Sequence, residues 1–168
     1  FDDPRGPYAR RNFAIERART EFIVIQDADD IMCPTKLATL YAEIRRDDRL
    51  AMVGAGYRTF LERYLGLQYS EYNQLPSGND EILARFGSWQ HGMSHGSAII
   101  RKRLFSEIGP YDENAFASDS FWSAKLALYA EAGQPVQVRN VPECLTLIRM
   151  HAADHTRVLS TLDPRNRR

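Results

Sequence analysis

The stretch EFIVIQDADD at residues 21–30 decides the fold, because it joins a short apolar run to a cluster of acidic residues. The apolar run is continuous and rich in β-branched side chains, which is typical of a strand buried inside a sheet. Asp27, Asp29 and Asp30 follow at the carboxyl end of that strand. Ligands bind at this edge of open α/β sheets, so the stretch predicts a strand with a ligand site beside it.

Helix and strand patterns alternate on both sides of this stretch, which predicts an α/β sheet. The last two strands are expected to form a hairpin, so the sheet should be mixed rather than purely parallel. Residues 58–78 are rich in Tyr and are expected to be irregular or to lie at an edge. The predicted helices cover residues 8–19, 34–44, 79–86, 102–108 and 118–132, and the predicted strands cover residues 21–26, 50–57, 96–101, 136–139 and 144–150.

Two of these helices carry further signals. Ser118 is expected to cap the last helix, and Gly133 is expected to end it. Pro34 suits the first turn of the helix that follows the acidic cluster. That helix has one apolar stripe at helical spacing, formed by Leu37, Leu40, Tyr41 and Ile44.

The composition excludes several classes of protein. The chain has 168 residues, 22 Lys and Arg against 22 Asp and Glu, and a hydrophobic share of 43%. The hydrophobic share excludes a disordered chain, and the zero net charge argues against a nucleic-acid partner. The only two cysteines, Cys33 and Cys144, exclude a disulfide scaffold and fit a reducing compartment, so we expect a cytoplasmic location. No apolar stretch approaches the ~20 residues of a membrane span.

The acidic cluster has two interpretations. Asp27 and Asp29 point the same way if the backbone stays extended, and crowded carboxylates favour a hard divalent cation such as Mg²⁺ or Mn²⁺. The alternative is a solvated turn whose carboxylates cap the next helix. A calcium EF-hand loop is excluded, because Met32 and Ala38 occupy the positions that would need Gly and Glu.

Residues 11–30, with Pro34 behind them, resemble the centre of family 2 glycosyltransferases, which have the GT-A fold. In that family a helix opens with Ala-Arg-Asn, and a hydrophobic strand then ends in Asp-x-Asp-Asp. The resemblance implies that Asp29 is the best ligand for Mn²⁺ or Mg²⁺ on the diphosphate of a nucleotide-sugar, with Asp27 assisting or contacting the nucleotide. It also places Arg11 near the nucleotide; the alternative for Arg11 is an ordinary surface arginine.

A second part of the family pattern lies downstream, in GSAIIR at residues 96–101, IGPYD at 108–112 and SDSFWSAKL at 118–126. The family has Glu-Asp at the start of the last segment, where this chain has Ser118 and Asp119. The resemblance implies that Asp119 is the general base of an inverting transfer, because the acceptor hydroxyl must lose its proton. An ordinary aspartate at a helix start is the alternative.

Three further residues are candidates through the same resemblance. Trp89 is expected to stack on a sugar and His95 to bind a hydroxyl of the sugar or acceptor, although packing and solvation are the alternatives. His151 is expected near the phosphates or the metal.

The sequence therefore predicts a GT-A-like mixed sheet flanked by helices, as a partial domain at residues 1–162 with a flexible tail at 163–168. The family's first nucleotide-binding strands are expected to be missing before Asn12. The implied activity is transfer of a sugar from a nucleotide-sugar to a saccharide, a lipid-linked or another hydroxyl acceptor. The pattern allows peripheral membrane association through parts outside this chain. A nucleotidyltransferase that uses Mg²⁺ and a non-catalytic module that binds sugar or nucleotide are the alternatives.

Overall fold

The computed structural model describes residues 6–63, 66–70 and 72–150 of the chain. Helices and strands alternate along most of it, as predicted. The helices are α1 (Pro7–Arg17), α2 (Lys36–Ile44), α3 (Asn79–Gly87), α4 (Leu104–Glu107) and α5 (Ser118–Glu131). The strands are β1 (Phe22–Val24), β2 (Ile31–Met32), β3 (Leu50–Arg63), β4 (Gly66–Tyr69), β5 (Ile99–Arg101) and β6 (Gln137–Arg149).

The described strands form one mixed sheet in the order β1-β5-β3-β6-β2, with β4 paired to the far end of β3. The long central strands β3 and β6 run parallel, and the other pairs are antiparallel. The predicted mixed sheet is therefore confirmed. Helices cover both faces of this sheet.

The predicted C-terminal hairpin is wrong, because β6 is one continuous strand. Its ladder with β3 is irregular where Val141 pairs with Ala55 and Cys144 pairs with Gly56. Pro142 lies in that irregularity, where its missing N–H costs no regular ladder bond. The register of β6 against β3 therefore shifts at Pro142, but the chain does not reverse its direction.

Strand β3 is also longer than predicted, since it extends through Arg63 into a hairpin with β4. The segment expected to be irregular or to lie at an edge thus begins with paired strand, in which β4 lies off the main path of the sheet. Residues 72–77 that follow are largely without regular structure, in agreement with the expectation.

The apolar stripe predicted for α2 is half wrong. Leu40 and Ile44 are fully buried, whereas Leu37 and Tyr41 are about half exposed. The buried row of α2 instead begins with Lys36, four residues before Leu40, and Lys36 has no exposed surface. Its ammonium group is accommodated there because it donates hydrogen bonds to Gln26 and to the carbonyl of Gly96.

Ser118 does not cap α5. Ala117 is the N-cap residue, and Ser118 is the first residue inside the helix. The Ser118 hydroxyl is buried and has no hydrogen-bond partner among the described residues. Gly133 ends the helix with φ of 84°, as its position predicted.

Two apolar clusters hold the helices on the sheet. Met52 and Ile100 contribute to the cluster under α3 and α5, while their neighbours Val53 and Ile99 contribute to the cluster under α2. This division follows from the alternation of side chains along a strand. No helix of the described residues is long and apolar enough to cross a bilayer.

Gly54 of β3 is a point of close approach between the sheet and the loop of residues 89–96. A Cβ at this position would lie 2.3 Å from Oδ1 of Asn140 and 2.4 Å from Cγ of Met93. Asn140 in turn donates from Nδ2 to the carbonyl of Gly92 over 2.8 Å. The absence of a side chain at Gly54 thus lets β6 hold this loop.

Gly54→Ala should lower the free energy of unfolding by about 1–3 kcal/mol, because the added methyl group overpacks a rigid contact. Urea denaturation provides the measurement. Gly87→Ala is the matched control, since a Cβ there would meet only the Ala127 Cβ at 3.9 Å. That variant should be neutral or slightly stabilising, as Gly to Ala usually is in a helix. Equal stability of the two variants would contradict this account of Gly54.

Candidate active site

A cleft of about 250 Å³ opens at the end of β1. Three segments that are far apart in sequence form its walls: the acidic turn after β1, the loop of residues 89–96, and the first turn of α5. Asp27 and Asp30 line it from the first segment and Asp119 from the last. The fold therefore brings together the two acidic motifs that the sequence singled out.

The acidic turn is held by groups from two other elements, α1 and β6. Asp27 forms an ion pair with Arg11 of α1. Asp30 accepts a hydrogen bond from the backbone N–H of Arg149 over 2.9 Å, and the Arg149 guanidinium donates to the carbonyl of Asp29 over 3.1 Å. Asp29 is exposed and, unlike its neighbours Asp27 and Asp30, does not line the cleft. Burial, with the nearby charges of Asp27 and Asp29, raises the pKa of Asp30.

Lys36 lies behind this turn. Its Nζ donates to Oε1 of Gln26 over 2.9 Å and to the carbonyl of Gly96 over 2.6 Å. Burial lowers its pKa to about 8, against the opposing effect of Asp30. Lys36 therefore ties the end of β1 to the loop that forms the next wall of the cleft.

Asp119 is held on the opposite wall by two donors. The hydroxyl of Tyr8 donates to its Oδ1 over 3.0 Å, and the backbone N–H of Ser120 donates to the same oxygen over 2.9 Å. Burial and the adjacent Asp119 charge raise the pKa of Tyr8, so its hydroxyl keeps its proton. Both donors therefore hold the same carboxylate oxygen of Asp119.

His95 lines the cleft but is almost wholly buried, with 6% of its surface exposed. Its Nδ1 lies 3.1 Å from the Tyr111 hydroxyl and its Nε2 lies 2.8 Å from Oγ of Ser123. Both ring nitrogens are thus engaged by the protein, and burial lowers the pKa of His95 to about 4. The ring joins the loop to α5 as a neutral imidazole.

Trp89 stands at the mouth of the cleft with 58% of its surface exposed. Its φ of 61° is in the left-handed region, which costs a residue with a side chain about 1–2 kcal/mol. The indole meets the ring of Phe121 edge to face, with 4.6 Å between centroids. An exposed aromatic side chain is therefore present in the cleft that Asp119 also lines.

The donor set suits a hard divalent cation that takes few protein ligands. A Cβ at Gly96 would lie 3.7 Å from one carboxylate oxygen of Asp27 and 3.7 Å from one of Asp30, so the absence of a side chain keeps this space open. Mg²⁺ is usually bound by one or two carboxylates together with phosphates and water. Within the described ranges, no group of three or more His, Cys, Asp or Glu side chains is arranged to hold a metal alone. The residues present therefore fit a cation shared with a phosphate ligand.

Most of the predicted site residues meet in the cleft or directly beside it. Arg11 contacts Asp27, and Trp89 and His95 line the cleft itself. His151 lies outside the described residues. The sequence did not single out Tyr8 or Lys36. Lys36 lies four residues before Leu40 and eight before Ile44, so helical spacing could have placed it in the buried row of α2. No pattern in the sequence indicated Tyr8.

The comparisons with known proteins agree with this fold. A family model described as glycosyl transferase family 2 matches residues 1–109. The structure of TarS 1–349 from S. aureus aligns with a TM-score of 0.63 and 16% identity, over 89% of this chain and 42% of that chain. The same fragment in complex with UDP-GlcNAc aligns with a TM-score of 0.61 and 18% identity, over 87% of this chain and 39% of that chain. No curated protein matches the chain.

A third solved structure is the mannosyltransferase PcManGT from Pyrobaculum calidifontis, in complex with GDP-Man and Mn²⁺. It aligns with a TM-score of 0.53 and 19% identity, over 87% of this chain and 37% of that chain. The chain thus spans about two fifths of the length of these solved structures. The GT-A-like fold predicted from the sequence is confirmed.

His95 makes stability depend on pH in a defined direction. Its pKa of about 4 lies below the usual 6.5 of an unfolded histidine, so the unfolded chain binds a proton that the folded chain does not. The contribution is fully present above about pH 6.5 and is lost as the pH falls towards 4. Between about pH 7 and pH 4.5 the wild type should lose on the order of 2 kcal/mol more than His95→Gln in urea denaturation.

An NMR titration of the His95 ring in the wild type provides a second measurement that needs no variant. The imidazole should remain neutral until the pH is well below 6. A ring that titrates near 6.5 would contradict the buried, doubly hydrogen-bonded state of His95.

Proposed function

The chain belongs to glycosyl transferase family 2, and from that premise we propose that it transfers a sugar from a nucleoside-diphosphate donor to an acceptor hydroxyl with inversion. One observation carries the proposal. The acidic turn with Asp27 and the predicted base Asp119, 92 positions later in the sequence, line one cleft. A donor diphosphate on one wall would therefore place its sugar towards the other.

We assign the diphosphate to the acidic turn. Asp29, which is exposed beside the cleft, and Asp27 at the cleft wall would hold Mn²⁺ or Mg²⁺, which would neutralise the charge that the diphosphate gains as the sugar bond breaks. Arg11, paired with Asp27, contributes a second positive charge on the same wall. The complexes of TarS with UDP-GlcNAc and of PcManGT with GDP-Man and Mn²⁺ support this type of donor and ion.

Asp119 has the geometry of the base. It takes the proton of the acceptor hydroxyl as that oxygen attacks the anomeric carbon, from the face opposite the departing diphosphate. Among the described residues, both hydrogen bonds to Asp119 fall on Oδ1, and we assign the other carboxylate oxygen to this proton. The carboxylate also lies in the first turn of α5, where the helix dipole favours its negative charge.

The loop of residues 89–96 is proposed to shape the sugar and acceptor end of the cleft. Trp89 offers its exposed face for stacking on a sugar ring or an acceptor. His95 contributes by fixing the loop against α5, because both of its ring nitrogens already have protein partners.

Asp29→Asn should abolish the Mn²⁺ dependence of UDP or GDP binding, measured by isothermal titration calorimetry on the full-length protein. Loss of a residue that only supports a metal ligand weakens metal binding roughly 10- to 100-fold. Loss of a carboxylate that itself binds the ion should weaken nucleotide binding by more than that. Asp80→Asn is the matched control, because it removes the same charge at an exposed position of α3. If Asp29→Asn keeps its metal dependence while the wild type shows one, the assignment of the ion to Asp29 is wrong.

Asp119→Asn should leave nucleoside-diphosphate binding intact and lower turnover by about 100-fold or more, since loss of a general base removes that much rate. Release of nucleoside diphosphate from a panel of nucleotide-sugars reports turnover. Running the same protein with nucleoside triphosphates separates sugar transfer from nucleotidyl transfer. Near-normal turnover in the variant would exclude Asp119 as the base.

A further inference from the structure

One helix contacts the carboxylates of both cleft walls. Tyr8 and Arg11 stand three positions apart on α1, which puts them on one face of the helix. Tyr8 donates to Asp119, and Arg11 pairs with Asp27. The Arg11 guanidinium also lies over the Tyr8 ring, 5.3 Å from its centroid. Helix α1 therefore fixes two groups whose separation decides whether donor and base can act together.

The hydrogen bonds to the Asp119 carboxylate fall on one of its two oxygens. In the part of the chain that the structure describes, Oδ1 accepts both of them, one from the Tyr8 hydroxyl at 3.0 Å and one from the Ser120 N–H at 2.9 Å. The backbone donor belongs to Asp119's own helix and cannot by itself fix the plane of the carboxylate. The second donor, from another element, restricts rotation of the carboxylate.

We propose that Tyr8 is a positioning residue for Asp119, which holds Oδ1 so that Oδ2 is presented to the acceptor hydroxyl. This inference rests on the proposed function, in which Asp119 is the general base. Tyr8 itself does not contact the reacting atoms and exchanges no proton in the transfer. Its effect is on the orientation of the base, and therefore on the rate of the chemical step rather than on donor binding.

The surroundings of Tyr8 suit this role. Its ring packs against Tyr111, with 5.6 Å between centroids, and it adjoins the main apolar cluster. The ring is thus held independently of its hydroxyl group. Burial and the Asp119 charge raise the pKa of the phenol above its usual value, so the hydroxyl remains a donor at neutral pH.

The direct test is Tyr8→Phe in the full-length protein, because it deletes the hydroxyl and keeps the ring. We expect kcat to fall about tenfold, equivalent to about 1.4 kcal/mol, while the donor KM and the melting temperature stay near the wild-type values. Tyr129→Phe is the matched control. Tyr129 lies on α5, as Asp119 does, and its hydroxyl donates to the Glu107 carboxylate over 3.1 Å. The variant therefore removes another tyrosine–carboxylate hydrogen bond, at a position away from the cleft. Its kcat should be unchanged.

The double variant Tyr8→Phe/Asp119→Asn separates this inference from the function on which it rests. If Tyr8 acts through Asp119, the double variant should be no slower than Asp119→Asn alone. Near-normal turnover in Asp119→Asn would overturn the proposed base. A wild-type kcat in Tyr8→Phe beside an inactive Asp119→Asn would overturn the role of Tyr8 alone. Parallel losses of donor affinity, melting temperature and kcat would show a merely structural residue and would also overturn it.

Discussion

Mutual repulsion among carboxylates is the constraint around which the cleft is arranged. Asp27, Asp29 and Asp30 fall within four consecutive residues at the end of β1, so their charges must be offset by groups from elsewhere. Arg11 of α1 pairs with the first, and a backbone N–H of β6 binds the third. Lys36 of α2 contributes a buried positive charge behind them. Elements on both faces of the sheet are thereby tied to one turn, and a cation brought in with a diphosphate would complete the same balance.

The opposite wall is organised by hydrogen bonds to neutral donors. Asp119 accepts hydrogen bonds from the Tyr8 hydroxyl and from the backbone N–H of Ser120, and His95 lines the same cleft as an uncharged ring. Both ring nitrogens of His95 are occupied by Tyr111 and Ser123, so the ring fixes the loop of residues 89–96 against α5. Helix α1 contacts the carboxylates of both walls, so a helix rather than a loop relates Asp27 to Asp119.

Patterns of short range predicted most of this architecture. The apolar run before Asp27 located β1, and the acidic motif and Asp119 were both recognised and do share one cleft. The errors have physical causes that depend on tertiary contacts. Residues 136–150 were predicted as two strands, because a sequence does not show that one strand continues through an irregular ladder at Pro142. Burial of Lys36 depends on two acceptors from distant segments, and the Tyr8 contact joins residues 111 positions apart.

The central claim is that this cleft transfers a sugar with inversion at the anomeric carbon. The most direct measurement incubates the full-length protein with Mn²⁺, a panel of nucleotide-sugars and simple saccharide or lipid-linked acceptors, and reads the anomeric signals of the product by NMR. The account predicts release of nucleoside diphosphate and a product whose anomeric configuration is opposite to that of the donor. A product with the donor's configuration would contradict it, because a base on the acceptor side, opposite the diphosphate, permits attack from one face alone.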